Sequence, residues 1–224
     1  MAATLAEGNA LTSTEVAAVA SVSTRYLSHL IEEHFLPVEL YAREGRRWFR
    51  PSAAAFAAFD NRVADILTPS ARRTIIREMV TRHHAELAES DAWLQWSIPC
   101  LENLGIIIDL VKVDMTESFR NVGANMGLLF EARQMVVRDP EILSGTPVIR
   151  GTRIAVYDVA ASAENGLPLE RILKAYSDLT EHQVALARLW VKANPPMGRP
   201  KRAVGPADRA TVMAKRVVRR RKAA

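Results

Sequence analysis

The chain contains one cysteine, Cys100, which excludes an internal disulfide and every multi-cysteine zinc pattern. No apolar run approaches the ~20 residues that a bilayer span requires. Ile106-Ile107-Ile108, resumed after Asp109 as Leu110-Val111, is too short and too charged. The segment Met1 to Glu7 lacks the basic and apolar regions of a secretory signal. A reducing cytoplasm is therefore expected, with no membrane partner. No internal repeat is present, and no Gly-x-x-x-x-Gly-Lys, Gly-x-Gly-x-x-Gly, His-Glu-x-x-His or Gly-x-Ser-x-Gly pattern occurs. His83 and His84 are adjacent, so on a helix they point about 100° apart and cannot share a metal. His29, His34 and His182 are isolated. Glu32-Glu33 and the pair Asp109 and Asp114 read as ordinary helix-face and strand-end acids. No catalytic residue, metal or cofactor is expected.

What is present is a folded composition, 49% hydrophobic and 25% charged over 224 residues. The formal charge of +5 is unevenly spread. From Pro195 onward there are ten basic residues and one acid, so the rest of the chain is slightly negative. Any argument for nucleic-acid binding has to rest on local pattern rather than on the overall charge.

Residues 1–11 read as a flexible leader. Thr12-Ser13-Thr14-Glu15 is an N-cap cluster opening a short helix, and Ser21-Val22-Ser23 breaks it. Ser23 caps a second helix whose apolar positions are Tyr26, Leu27, Leu30 and Ile31. Pro37 ends it. Extended stretches at Val38–Ala42 and Arg47–Arg50 flank a turn at Arg43-Glu44-Gly45-Arg46, and a helix opens at Pro51. Residues 61–134 read as a connecting region. It has a helix from Ala71 to about Leu87, a buried strand from Leu104 to Val113, and a helix from Asp114 to about Gln134. Short strands follow at Met135–Val137, Val148–Arg150 and Ile154–Val156. Three helices complete the folded part: Val156–Asn165, Pro168–Tyr176 and Thr180–Ala193. Their expected core is Leu167, Leu169, Ile172, Leu173, Leu179, Val184, Leu186, Ala187 and Trp190. The fold class is thus mainly α with short β elements. Its expected units are 12–60, 61–134 and 135–194, and a basic tail, disordered when free, spans 195–224.

Residues 12–60 follow the plan of a winged helix-turn-helix. With its apolar side buried, the second helix turns Thr24, Arg25, Ser28 and His29 outward, residue types that hydrogen-bond base edges or phosphates. Arg43, Arg46 and Arg47 lie on the hairpin, where backbone contacts are expected. The stretch "LTSTEVAAVASVSTRYLSHLIEEHFLP" followed by "GRRWFRPS" resembles the MerR-like and excisionase-like helix-turn-helix group. Five basic against six acidic side chains over 12–60 depart from a strongly basic DNA reader. Glu32 and Glu33 would repel phosphates if they faced the groove. A compact dimerisation bundle with solvated arginines is the bland alternative.

Arg138 to Pro195 resembles the family catalogued as domain of unknown function 433. The resemblance is carried by Asp139-Pro140, Gly145-Thr146-Pro147, Ile149-Arg150-Gly151-Thr152-Arg153, Gly166, Ile172-Leu173, Tyr176 and Leu179-Thr180. It implies a homeodomain-like three-helix domain preceded by short strands. It also implies a role like that of VapB-type antitoxins, which pair with PIN-like ribonuclease toxins. Strand edges around Met135–Val156 are expected docking surfaces. Arg150 and Arg153 either contact that toxin or anchor the local hairpin through carbonyls or acids. Arg216, Arg219 and Arg220 lie in the tail, for which three readings stand: a solvated tail, phosphate contact, or insertion toward an acidic nuclease site. The combined expectation is a non-catalytic antitoxin, a homodimer on operator DNA that represses its own operon. The rivals are a transcription regulator without a toxin and a pure protein adaptor.

Overall fold

The computed structural model describes residues 10–82, 105–108 and 111–196. These are mainly helical, and their strands are short and antiparallel. The first unit runs β1 (Leu11–Thr12), α1 (Ser13–Ala20), α2 (Thr24–Glu32), β2 (Tyr41–Glu44), β3 (Arg46–Phe49) and α3 (Pro51–Val63). Thr12 caps α1 by accepting from the Glu15 amide at 3.3 Å, while the Glu15 carboxylate accepts from the Thr12 amide at 2.9 Å. The break between α1 and α2 passes through Ser21, left-handed at φ 55°. Ser23 Oγ then accepts from the Tyr26 amide at 3.0 Å and starts α2. His34, at φ 56°, closes α2 as the Phe35 amide returns to the Leu30 carbonyl. A side chain in that conformation costs about 1–2 kcal/mol, so both ends of α2 are held by the packing around them.

The hairpin differs in register from the expected one. Val38–Leu40 forms a 3-10 turn, and the strand begins only at Tyr41. Buried Leu40 explains the shift, since the turn after Pro37 drives it into the core. The expected four-residue turn shrinks to Gly45, whose φ of 73° a larger residue resists. β1, which the sequence reading left in the leader and the cap, adds to the outer edge of β3, giving the order β1-β3-β2.

α4 (Pro69–Arg82) buries Ile75, Ile76, Met79 and Val80 in the same core as Val16, Leu27, Leu30, Phe49 and Phe56. Where one buried strand was expected at 104–113 there is an antiparallel hairpin, β4 (Gly105–Ile108) with β5 (Val111–Asp114). Its Ile106 is buried and its Ile107 is 65% exposed. The β-branched residues favour extension, but residues exposed on one face do not need a fully buried strand. His83, His84, Cys100 and Asp109 lie outside the described residues. The Asp114 carboxylate accepts from the Thr116 amide at 2.8 Å; hydrogen bonding to Thr116, from its side chain first and its amide second, holds the pKa of Asp114 below the ordinary carboxylate value.

α5 (Thr116–Met135), about 30 Å long, joins the two cores. Phe119, Val122, Met126 and Leu129 enter the first core, where Phe119 meets Phe56 edge-on at 5.4 Å. Ala132 enters the second core. The described part of 61–134 therefore packs directly on the N-terminal unit. Beyond it come β6 (Val136–Val137), β7 (Val148–Ile149), α6 (Val156–Glu164), α7 (Leu169–Ala175) and α8 (Glu181–Ala193). The strand expected at Ile154–Val156 reduces to a single bridge, Val148 to Ala155, because Val156 already starts α6. Ile172, Leu179, Val184, Leu186, Ala187 and Trp190 are buried as expected. Leu169 and Leu173 are partly buried, whereas Leu167, on the turn after Gly166, is exposed. α8 packs on α6, on α5 and on α1, and its Ala193 and Leu189 contribute to the first core.

Candidate nucleic-acid interface

The outward surface of α2 follows from its buried stripe. Leu27, Leu30 and Ile31 are sealed, which leaves Thr24, Arg25 and His29 exposed and Ser28 half-buried. These four residues lie at three- and four-residue spacings and form one surface patch near the helix N-terminus. There the helix dipole adds partial positive charge. His29 is held by ring contacts with Tyr26 and Phe35, centroids 6.4 and 6.1 Å apart. Among the described residues, Arg25 has no ion-pair partner. Glu32 and Glu33 are also exposed, at the far end of the helix.

On the hairpin, Arg43 lies directly opposite Arg47 in the β2–β3 register. Like charges in that position repel and destabilise a hairpin. Neither has an ion-pair partner among the described residues. Arg46 instead stacks on Trp48, its guanidinium carbon 3.8 Å from the ring centroid, which fixes its direction. Trp48 is itself tied to Thr12 by the β1–β3 pairing. The fold thus presents one arginine on the exposed surface of α2 and three on the β2–β3 hairpin that follows it in the chain. An arrangement that retains its own repulsion gains most from an anion seated against it.

The C-terminal segment is built differently. Arg150 donates through Nε and Nη2 to the Gln134 carbonyl at 3.0 and 2.8 Å, satisfying an orphan carbonyl in the last turn of α5. The anchoring alternative for Arg150 is therefore the one its geometry adopts. Arg153 is exposed and has no hydrogen bond or ion pair among the described residues. Between them Gly151 turns at φ 78°, and the Thr152 hydroxyl donates to the Ile149 carbonyl at 2.8 Å. The expected open strand edges are largely consumed. β7 pairs with β6 on one side and with Ala155 on the other, and the Val136 amide of β6 closes α5 by donating to Ala132. Arg216, Arg219 and Arg220 lie outside the described residues.

Residues 136–189 match the family described as "Protein of unknown function (DUF433)". The chain is 36% identical over 214 residues to "Uncharacterized protein y4eO" of Sinorhizobium fredii, covering 95% of this chain and 94% of that protein. The chain belongs to the y4eO family. No solved structure matches it. The DUF433 segment begins at β6 and ends within α8. Its final helix is the one lying against α1, so the DUF433 segment is structurally continuous with the arginine-bearing unit.

Two charged clusters escaped the sequence reading. Asp60, with no exposure, accepts from the Tyr26 hydroxyl and from Arg72 Nη1, each at 2.6 Å. Glu15 accepts from both Nε and Nη2 of Arg133 at 3.1 and 2.7 Å. The signal for the first was present: Asp60 follows Phe56 at four-residue spacing, and Arg72 precedes Ile75, Ile76 and Met79 on one helical stripe. Among the described residues no group of three or more His, Cys, Asp or Glu gathers as a metal site. No helix among them is long and apolar enough to cross a membrane.

Proposed function

We propose that the protein is a non-catalytic, DNA-binding antitoxin of a type II toxin-antitoxin pair, acting in the cytoplasm. In this reading β1 to α3 are a winged helix-turn-helix. Thr24, Arg25, Ser28 and His29 meet base edges and phosphates in the major groove, and Arg43, Arg46 and Arg47 on the wing meet the flanking backbone. The observation that carries the proposal is the facing pair Arg43 and Arg47, without an ion-pair partner among the described residues, on the hairpin that follows α2. A homodimer on paired half-sites would repress the operon. The DUF433 segment, a homeodomain-like three-helix unit, would hold a PIN-like ribonuclease toxin through Arg153 and the basic tail with Arg216, Arg219 and Arg220. The support for that half is the family resemblance rather than a built contact.

One observation favours the alternative of a transcriptional regulator without a toxin: Arg150, the other candidate for toxin contact, is spent on the α5 carbonyl. Both are tested by one preparation. Gel-shift titration on the protein's own promoter fragment is expected to give a discrete complex, and co-expression with the adjacent reading frame is expected to give co-purification and rescue of growth. A shift without co-purification selects the regulator, and the absence of both ends the proposal.

A further inference from the structure

Helix α4 lies outside the minimal winged-helix plan, yet it holds α2 at two points. In the first turn of α2, the Tyr26 hydroxyl and Arg72 Nη1 share one oxygen of buried Asp60. This links α2, α3 and α4 through a single atom. At the end of α2, Arg73 Nη1 donates to the Glu33 carbonyl at 3.3 Å. The guanidinium carbons of Arg72 and Arg73 lie 4.7 and 4.9 Å from the centroid of Phe35, the first buried residue after α2. The remaining anchors of α2, Leu27, Leu30 and Ile31, are apolar, and apolar burial is non-directional.

Direction matters for a surface that recognises a ligand. At a radius of about 5–6 Å, a 15° roll of an α-helix carries a side-chain tip about 1.4 Å. Recognition geometry tolerates about 0.5 Å. Hydrogen bonds are directional and limit such a roll. The network is also poorly suited to stability alone. Among the described residues, Asp60 Oδ1 and Arg72 Nε are buried without a partner, and an apolar pair of similar volume would avoid that cost.

We infer that α4 is a strut that sets the rotational pose of α2, with Tyr26, Asp60, Arg72 and Arg73 as positioning residues. Its consequence for sequence choice rests on the DNA-reading proposal; the strut itself does not. The test uses the full chain in wild-type, Arg72→Met, Arg72→Lys and Tyr26→Phe forms. Tyr26→Phe keeps the ring in place and so covers the case in which Arg72→Met fails to fold. Amide exchange over Leu27–Ile31 is expected to rise by about tenfold in Arg72→Met and in Tyr26→Phe, with α5 and α8 unchanged. Arg72→Lys, which retains a donor for Asp60, is expected to restore protection. In selections from a random duplex pool, the loosened variants are expected to discriminate about tenfold less between enriched and scrambled duplexes, with the same salt dependence. Unchanged protection of α2, uniform loosening of every helix, or a lysine variant as loose as the methionine one would overturn the strut. If α2 loosens as stated but the wild type enriches no sequence, the strut stands and the DNA reading falls.

Discussion

Glu15 and Arg133, 118 positions apart, share one carboxylate oxygen, while the other oxygen caps α1 through the Thr12 amide. One side chain therefore both starts the first helix and fastens it to the last turns of α5. The Glu15 side chain is 9% exposed and that of Arg133 28%. Removing one partner of a pair so buried leaves a stranded charge, at a cost of about 3–5 kcal/mol. Glu15→Ala and Arg133→Met are each expected to lower the unfolding free energy from urea titration by that amount. The double variant should lose clearly less than the sum of the two. Additive losses would show that the two residues act separately.

Arg43 and Arg47 make a prediction about ionic strength. If each meets one phosphate, replacing both with alanine should flatten the slope of log K against log salt by about 1.8. Arg25→Ala should instead relax preference at one base position, at about 1–3 kcal/mol. A salt slope unchanged by the double replacement would remove the β2–β3 hairpin from the proposed interface.

Tyr26 gives a pH dependence. Burial first, and then its bond to Asp60, push its hydroxyl pKa well above the ordinary value of about 10. The unfolded chain thus loses this proton before the folded one does. The stabilisation is complete below pH 10 and falls away as pH rises from there toward the folded value. Denaturation midpoints of the wild type should decline more steeply above pH 10 than those of Tyr26→Phe. Parallel declines would contradict the buried hydroxyl.

Gly151 turns at φ 78°, and a Cβ placed there would meet nothing within 4 Å. The cost of Gly151→Ala is therefore conformational alone, about 1–2 kcal/mol. The melting temperature should fall accordingly, with little change in the Arg150 contact to Gln134. An unchanged melting temperature would mean that the turn relaxes freely.

Short-range signals were legible where local chemistry decides the outcome. The caps at Thr12, Ser23 and Thr180 and the apolar stripe of α2 give helices close to the expected bounds. Misreadings arose where distant residues decide. β1 exists only because Phe49 and Trp48 offer it a partner edge. The 104–113 stretch folds back on itself rather than crossing the core. Exposed Thr24, Arg25 and His29 follow from helical spacing alone. The partner of Arg133, by contrast, lies on another element, and no periodicity points to it; for Asp60 and Arg72, helical spacing marks each as inward-facing but does not pair them.

α8 closes the second core and also contributes Ala193 and Leu189 to the first. A hybrid gene joining this front half to an unrelated rear half would expose the flank of α1 on which α8 rests. Such a hybrid is expected to fold stably only if its new rear half covers that flank.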